Sequence, residues 1–288
     1  MEALIASYGD ASSESDSDDL SPHPGGKSTV GKDETESSFS LPPPPLSLLN
    51  PPNSSVSIDF LPAESAIRVR SFPHVEGNYA LHVYIPVSLP STAKKEIACF
   101  LKRVASAVPD LHLVEADVPV SILCKDEHKL EHALGREFHI SLGRTVPIRV
   151  HQINSVVSLL RQKLQFQKRY WMDFSKWEVF VNDDCTRSFL SLEITTAGVA
   201  EITKQIHAVN DVYKLHNLPE FYKDPRPHIS LLWALGDISN SLKGAVEGEL
   251  KKLKAGACVQ NRIFTSKFCG IECRIGNKAY KICSFPDE

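Results

Sequence analysis

The 288-residue chain has no run of 18 or more apolar residues, so no transmembrane helix and no membrane attachment are expected. Its first residues, Met1-Glu2-Ala3-Leu4-Ile5, do not set a basic region before an apolar one, so no secretory signal is expected. The seven cysteines are odd in number and stand at 99, 124, 185, 258, 269, 273 and 283. That suits reduced thiols in the cytosol or nucleus better than a disulfide framework. Cys269 and Cys273 are four apart, but a zinc site needs a second close pair or histidine partners, and the sequence offers neither. Buried thiols on strands are expected there instead. No carboxylate cluster suggests a metal, no cofactor is expected, and no Gly-x-Ser-x-Gly elbow marks a serine hydrolase.

What is present divides unevenly along the chain. Residues 1–66 hold 11 Asp or Glu against two Lys, a net of −9, while residues 67–288 hold 24 acids and 30 bases, a net of +6. The first part is low in complexity, with Ser-Ser-Glu-Ser-Asp-Ser-Asp-Asp at 12–19 and four prolines at 42–45. Such composition buries too little apolar area to offset its ordering entropy, so residues 1–66 are expected to be a disordered acidic and Pro-rich tail. Residues 67–288 form the folded body, beginning near Arg68. A mildly basic body is compatible with nucleic-acid binding without establishing it.

Periodicity predicts a strand over 79–86, then a helix over 92–107 with Ser91 as its N-cap and Ile97, Phe100, Leu101 and Val104 as its stripe. One or two short strands follow at 111–124, then a strand over 137–142 and a helix over about 150–167. Residues 177–181 and 189–195 read as a hairpin. A helix over 197–216, a strand over 227–233, a helix over 239–253 and three strands near 260–265, 268–275 and 279–284 complete the chain. Helices mixed with hairpins argue for an α+β fold.

Two of these strands are near copies. Phe138-His139-Ile140-Ser141-Leu142 is echoed by Pro227-His228-Ile229-Ser230-Leu231. Strand side chains alternate faces. His139 and Ser141 therefore share one face of the first strand and His228 and Ser230 one face of the second, while Ile140 and Ile229 anchor the other faces. In a chain with 11 His, about one His-x-Ser arises by chance. A second inside the same apolar frame does not.

If the two strands face each other, one cleft holds two imidazoles and two hydroxyls. Imidazole titrates near neutrality, so one ring can take a proton while the other gives one. Hydroxyls can donate to the non-bridging oxygens of a phosphate. The chemistry this permits is metal-free cleavage of an RNA phosphodiester: a base removes the ribose 2′-proton, that oxygen attacks phosphorus, and an acid protonates the leaving 5′-oxygen. A serine nucleophile with a histidine base fits less well, because residues two apart on a strand point in parallel. For other candidates the structural reading is favoured: His82 as a satisfied mid-strand residue, and Trp171, Trp177 and Trp233 as core. For Arg226, which shares a strand face with His228, and for His74 and Asn78, the structural reading is likewise favoured over phosphate or RNA contact.

Paired His-x-Ser/Thr strands are the signature of the 2H phosphoesterase superfamily, which this chain resembles. Three blocks together, Phe72 to Pro86, Phe138 to Leu142 and Phe221 to Leu231, resemble its eukaryotic U6 small nuclear RNA phosphodiesterase branch over most of 68–286. The resemblance implies a bilobed fold, two antiparallel sheets with flanking helices in pseudo-twofold arrangement around a central cleft. One lobe would combine the N- and C-terminal parts of the body and the other its middle. It implies a metal-independent 3′-to-5′ exoribonuclease that trims the oligouridine end of U6 RNA, leaving a 2′,3′-cyclic phosphate or a 3′-phosphate. His139 and His228 would be the catalytic pair, with His228 the base and His139 the acid. Ser141 and Ser230 would hold the phosphate, and Tyr222 would stack on the terminal base. A nuclear, monomeric protein acting in splicing is also implied. The alternatives are a 2′,3′-cyclic phosphodiesterase of small nucleotides or RNA ends, and a catalytically silent RNA-binding splicing component.

Overall fold

A computed structural model of the chain describes residues 75–114, 116, 118–256 and 262–285. The expectations for the tail 1–66 and for Arg68, Phe72, His74 and Cys258 lie outside these residues. The elements run β1 (Asn78–Ser88), α1 (Ser91–Ala107), β2 (His112–Leu113), β3 (Val118–Pro119), α2 (Val120–Leu123), α3 (Glu127–Ala133), β4 (Glu137–Ser141) and β5 (Val146–Arg149). After a 3-10 turn at Val150–Gln152 come α4 (Ile153–Leu164), β6 (Trp171–Val181), β7 (Arg187–Ile194), α5 (Val199–Leu215) and β8 (His228–Leu235). Then follow α6 (Ser239–Gly256), β9 (Phe264–Lys267), β10 (Gly270–Ile275) and β11 (Lys278–Ser284). The fold is α+β, as the periodicity implied.

Three local expectations differ. Pro90, not Ser91, caps α1; its backbone is extended, and its carbonyl accepts from the N–H groups of Ala93 and Lys94 at 3.0 and 3.2 Å. The strand expected through residue 124 stops at Pro119, and α2 and α3 follow. Asp126 caps α3 by accepting from the His128 N–H at 3.1 Å, the usual role of an aspartate there. The short strand β5 was not anticipated because Pro147 removes a ladder donor. Pairing along one edge of β1, with Tyr79 opposite Ile148, tolerates that loss.

Among the described residues the strands join in one antiparallel arrangement, in the order β11-β10-β1-β4-β8-β7-β6-β9, with β5 on β1 and β2 on β8. Along the main path, four strands lie on each side of the β4–β8 seam. The first four come from the N- and C-terminal parts of the body and the other four mainly from its middle, the division that the 2H resemblance implied. The seam carries one register pair, Ile140 with Ile229, and both side chains are fully buried.

The helices cross this division. Phe100 of α1 stacks on Trp177 of β6, ring centres 4.2 Å apart. In the other direction α4 packs on β10 and β11, and Arg161 donates to the Lys281 carbonyl at 3.2 Å. Tyr213 of α5 donates to the Arg144 carbonyl just past β4, at 3.1 Å. That approach needs Gly143, where an added Cβ would stand 2.8 Å from the Tyr213 hydroxyl. Each half-sheet is thus closed by a helix from the other half, and one buried cluster joins Ile97, Leu160, Ile206, Ile140 and Ile229. The tryptophans divide: Trp233 is buried and Trp177 packs on the core, but Trp171 is exposed at the start of β6.

Replacing Ile229 with Ala should remove about 2–5 kcal/mol of stability, read as a lower midpoint in urea unfolding. A loss below about 1 kcal/mol would show that the seam is not a packed junction.

Candidate active site

Alternation on β4 is as expected. Phe138 and Ile140 are buried, while His139 and Ser141 are partly open. On β8, Ile229 and Leu231 are buried and His228 and Ser230 partly open. The two strands do not face each other across a gap. They run side by side and antiparallel, paired at Ile140 and Ile229. One residue either way, this register sets His139 beside Ser230 and Ser141 beside His228. All four polar side chains emerge on one face, opposite the two isoleucines. His139 and His228 are close enough that a charge on the first opposes a charge on the second.

Neighbouring strands add to this face. His82 of β1 meets Ser141, with Nε2 3.0 Å from Oγ, and lies edge-on to the His139 ring at 4.8 Å between centres. Tyr84 packs on both rings, at 5.1 Å from His82 and 5.6 Å from His139. Its hydroxyl donates to Glu272 at 3.1 Å, and burial pushes its pKa up to about 12. On the other side of the seam, the fully buried Ser191 of β7 meets Ser230, with Oγ atoms 3.0 Å apart.

His228 is held differently from His139. Its Nδ1 lies 2.7 Å from the Arg226 carbonyl. A carbonyl only accepts, so Nδ1 carries the proton and the neutral ring keeps its lone pair on Nε2. Phe180 stacks on the ring at 4.0 Å between centres. Burial lowers the His228 pKa, and the Arg226 carbonyl bond and Glu193 only partly offset this. The result is an imidazole below its ordinary value, neutral at neutral pH.

The Arg226 guanidinium is held by two carboxylates. Its Nε and Nη2 donate to the two carboxylate oxygens of Glu193 at 2.6 Å each, and Nη2 also donates to Glu178 at 2.7 Å. Lys176 joins Glu178 at 2.6 Å. Burial alone would raise the Glu178 pKa, but the Lys176 and Arg226 donors hold it at about 2. This clamp fixes the backbone whose carbonyl sets the His228 tautomer. Sequence reading missed His82 as a partner of Ser141, together with Tyr84, Ser191, Glu193 and Phe180. The available signal was parity: His82 and Tyr84 alternate on β1 as His139 and Ser141 do on β4.

Tyr222 precedes β8 and is 44% exposed. The Arg144 guanidinium lies over its ring at 4.2 Å. Its hydroxyl donates to Asp183 at 3.2 Å, and Arg144 pairs with the same carboxylate. Arg144 follows Ser141 by three residues, so Tyr222 is tied to the chain leaving β4. Asn78 lies apart, opposite Arg149 at the start of β1. The expectation of buried thiols holds for Cys273, whose pKa burial pushes up to about 12, but not for the exposed Cys269. Among the described residues, no three His, Cys, Asp or Glu side chains group closely enough to hold a metal ion.

Nitrogen-15 spectroscopy at neutral pH, with His228→Gln used to assign the signal, should find His228 Nδ1 protonated and Nε2 bare. The reverse tautomer would undo the role drawn from the Arg226 carbonyl.

A family model, HVSL, described as an uncharacterised conserved protein, matches residues 42–283. The U6 snRNA phosphodiesterase 1 of Homo sapiens is 32% identical over 218 residues, covering 75% of this chain and 73% of that protein. That of Danio rerio is 33% identical over 215 residues, covering 74% and 69%. The solved structure of Kluyveromyces marxianus Usb1 with uridine monophosphate superposes with a TM-score of 0.49 at 14% identity, covering 71% of this chain and 97% of that one. On the family match and the two vertebrate identities, the chain belongs to the HVSL family and to the family of the U6 snRNA phosphodiesterase 1 proteins.

Proposed function

We propose that this chain is an RNA phosphodiesterase that shortens RNA from its 3′ end by 2′-hydroxyl attack. The observation that carries the reading is the pairing of β4 with β8, which presents His139, Ser141, His228 and Ser230 on one face. His228 is the base. A neutral ring with its lone pair on Nε2 takes the 2′-proton of the penultimate nucleotide. The 2′-oxygen bonds to phosphorus, the bond from phosphorus to the 5′-oxygen breaks, and His139 gives its proton to that oxygen. The terminal nucleoside leaves, and the shortened RNA ends in a 2′,3′-cyclic phosphate, which water can open to a 3′-phosphate with the histidine roles reversed. Ser141 and Ser230 donate to the non-bridging oxygens.

The names of the vertebrate relatives support U6 snRNA as the substrate, and with it a nuclear site of action. Tyr222, one face lying under Arg144, offers its ring to the terminal uracil, a contact worth about 1–3 kcal/mol. Residues 67–288 supply every group this chemistry needs, so the protein works as a monomer, with residues 1–66 as an appended tail.

The protein incubated with a 5′-labelled oligouridine in excess EDTA should shorten it stepwise. His139→Ala or His228→Ala should lose about 10²–10⁴-fold in rate while still binding the RNA. A 2′-deoxy sugar on the 5′ side of the scissile bond should stop the reaction. Opening of a cyclic end without shortening would point instead to a cyclic phosphodiesterase, and no reaction to a binding protein.

The pH profile carries a sign. Burial holds the His228 pKa below its ordinary 6.5, so the base stays unprotonated into mildly acidic solution. The acid limb of kcat/KM should therefore have its midpoint below 6.5; a midpoint above it would contradict a buried base at this position.

A further inference from the structure

We infer that His82 is a positioning residue that aims the Ser141 hydroxyl at the substrate phosphate; this rests on the reading of Ser141 as a phosphate contact. His82 and Ser141 come from adjacent strands, in a register that sets Tyr84 opposite Ser141. The His82 Nε2 is 3.0 Å from Ser141 Oγ. A hydroxyl has one hydrogen and two acceptor lone pairs. If Ser141 donates to His82, that hydrogen points along β1 and is lost to the phosphate. If His82 donates through Nε2–H, the imidazole occupies a lone pair of Oγ, and the hydroxyl hydrogen is left to point out of the sheet. Only the second arrangement lets Ser141 donate to a phosphate oxygen, so phosphate binding requires His82 to be protonated on Nε2.

The surroundings hold the ring in place for this. Tyr84 stacks on it with planes 30° apart, His139 meets it edge-on, and Arg274 of β10 stands opposite it in the ladder. The other phosphate-binding hydroxyl, Ser230, has a hydroxyl partner, Ser191, and either oxygen can donate in that pair. The two serines of the repeated motif are therefore not equivalent: Ser141 is oriented by an imidazole and Ser230 by an alcohol. A side chain placed mid-strand like a structural histidine acts here through the group it touches.

Because His82 also touches His139, the test must separate the two routes, and a double-mutant cycle on oligouridine cleavage does so. His82→Ala should lower kcat/KM about tenfold, mainly through KM, as expected for a lost uniform phosphate contact. His82→Gln, whose amide can still donate to Oγ, should stay within about threefold of the parent. In a Ser141→Ala background, His82→Ala should change kcat/KM by less than about twofold. If H82A fails to fold by circular dichroism, H82L, apolar and without a donor, takes its place. Losses that multiply in the double mutant, or a glutamine variant as slow as the alanine one, would overturn the role of His82. Ser141→Ala at the parental rate would overturn the phosphate contact and this inference with it.

Discussion

The Ile140–Ile229 contact is what the rest of the molecule depends on. It is the one register pair between β4 and β8, and both side chains are fully buried. Strand parity does the remaining work. With two isoleucines facing the core, the residues on either side of each must point the other way, and those residues are His139, Ser141, His228 and Ser230. A slip of one residue in either strand would turn its histidine and serine into the core and its isoleucine out to water. Burial of apolar area at the seam thereby fixes the polar geometry on the opposite face.

The helix exchange protects that junction. One register pair is little to join two half-sheets, and helices from each half also pack on the other. α1 reaches across to stack Phe100 on Trp177, while α4 and α5 reach back to β11 and to Gly143 and Arg144. Separating the halves would expose both interfaces at once, so the seam is held by packing well away from it. The clamp of Arg226 by Glu193 and Glu178 belongs to the same logic: carboxylates on β7 and β6 fix the backbone entering β8, and that backbone carbonyl fixes the His228 tautomer.

Much of this was legible in the sequence because it rests on local rules. Alternation placed each histidine with its serine, and the 3.6-residue stripe of Ile97, Phe100, Leu101 and Val104 gave α1. What was not legible depends on pairing between distant segments. Nothing local to Phe138–Leu142 says whether Pro227–Leu231 lies beside it or across from it, and the structure puts them side by side. His82 looked structural because its partner Ser141 is 59 residues away. The ion pairs of Arg226 were hidden because Glu193 and Glu178 become its neighbours only once β6, β7 and β8 are paired. The strand β5 escaped because a proline in a four-residue edge reads as a loop.

The two histidines are alike in sequence and unlike in setting. His228 stacks against Phe180 with Nδ1 held by a backbone carbonyl, the setting proposed for the base, whereas His139 sits among the rings of His82 and Tyr84. The central claim is this division of labour, and a substrate that needs no acid tests it directly. Oligouridine carrying sulfur in place of the 5′-bridging oxygen at the scissile bond has a leaving group that departs without protonation. Cleavage of this RNA by His139→Ala should approach the parental rate, while His228→Ala should remain inactive on it. Rescue of His228→Ala instead, or of neither variant, would contradict the account.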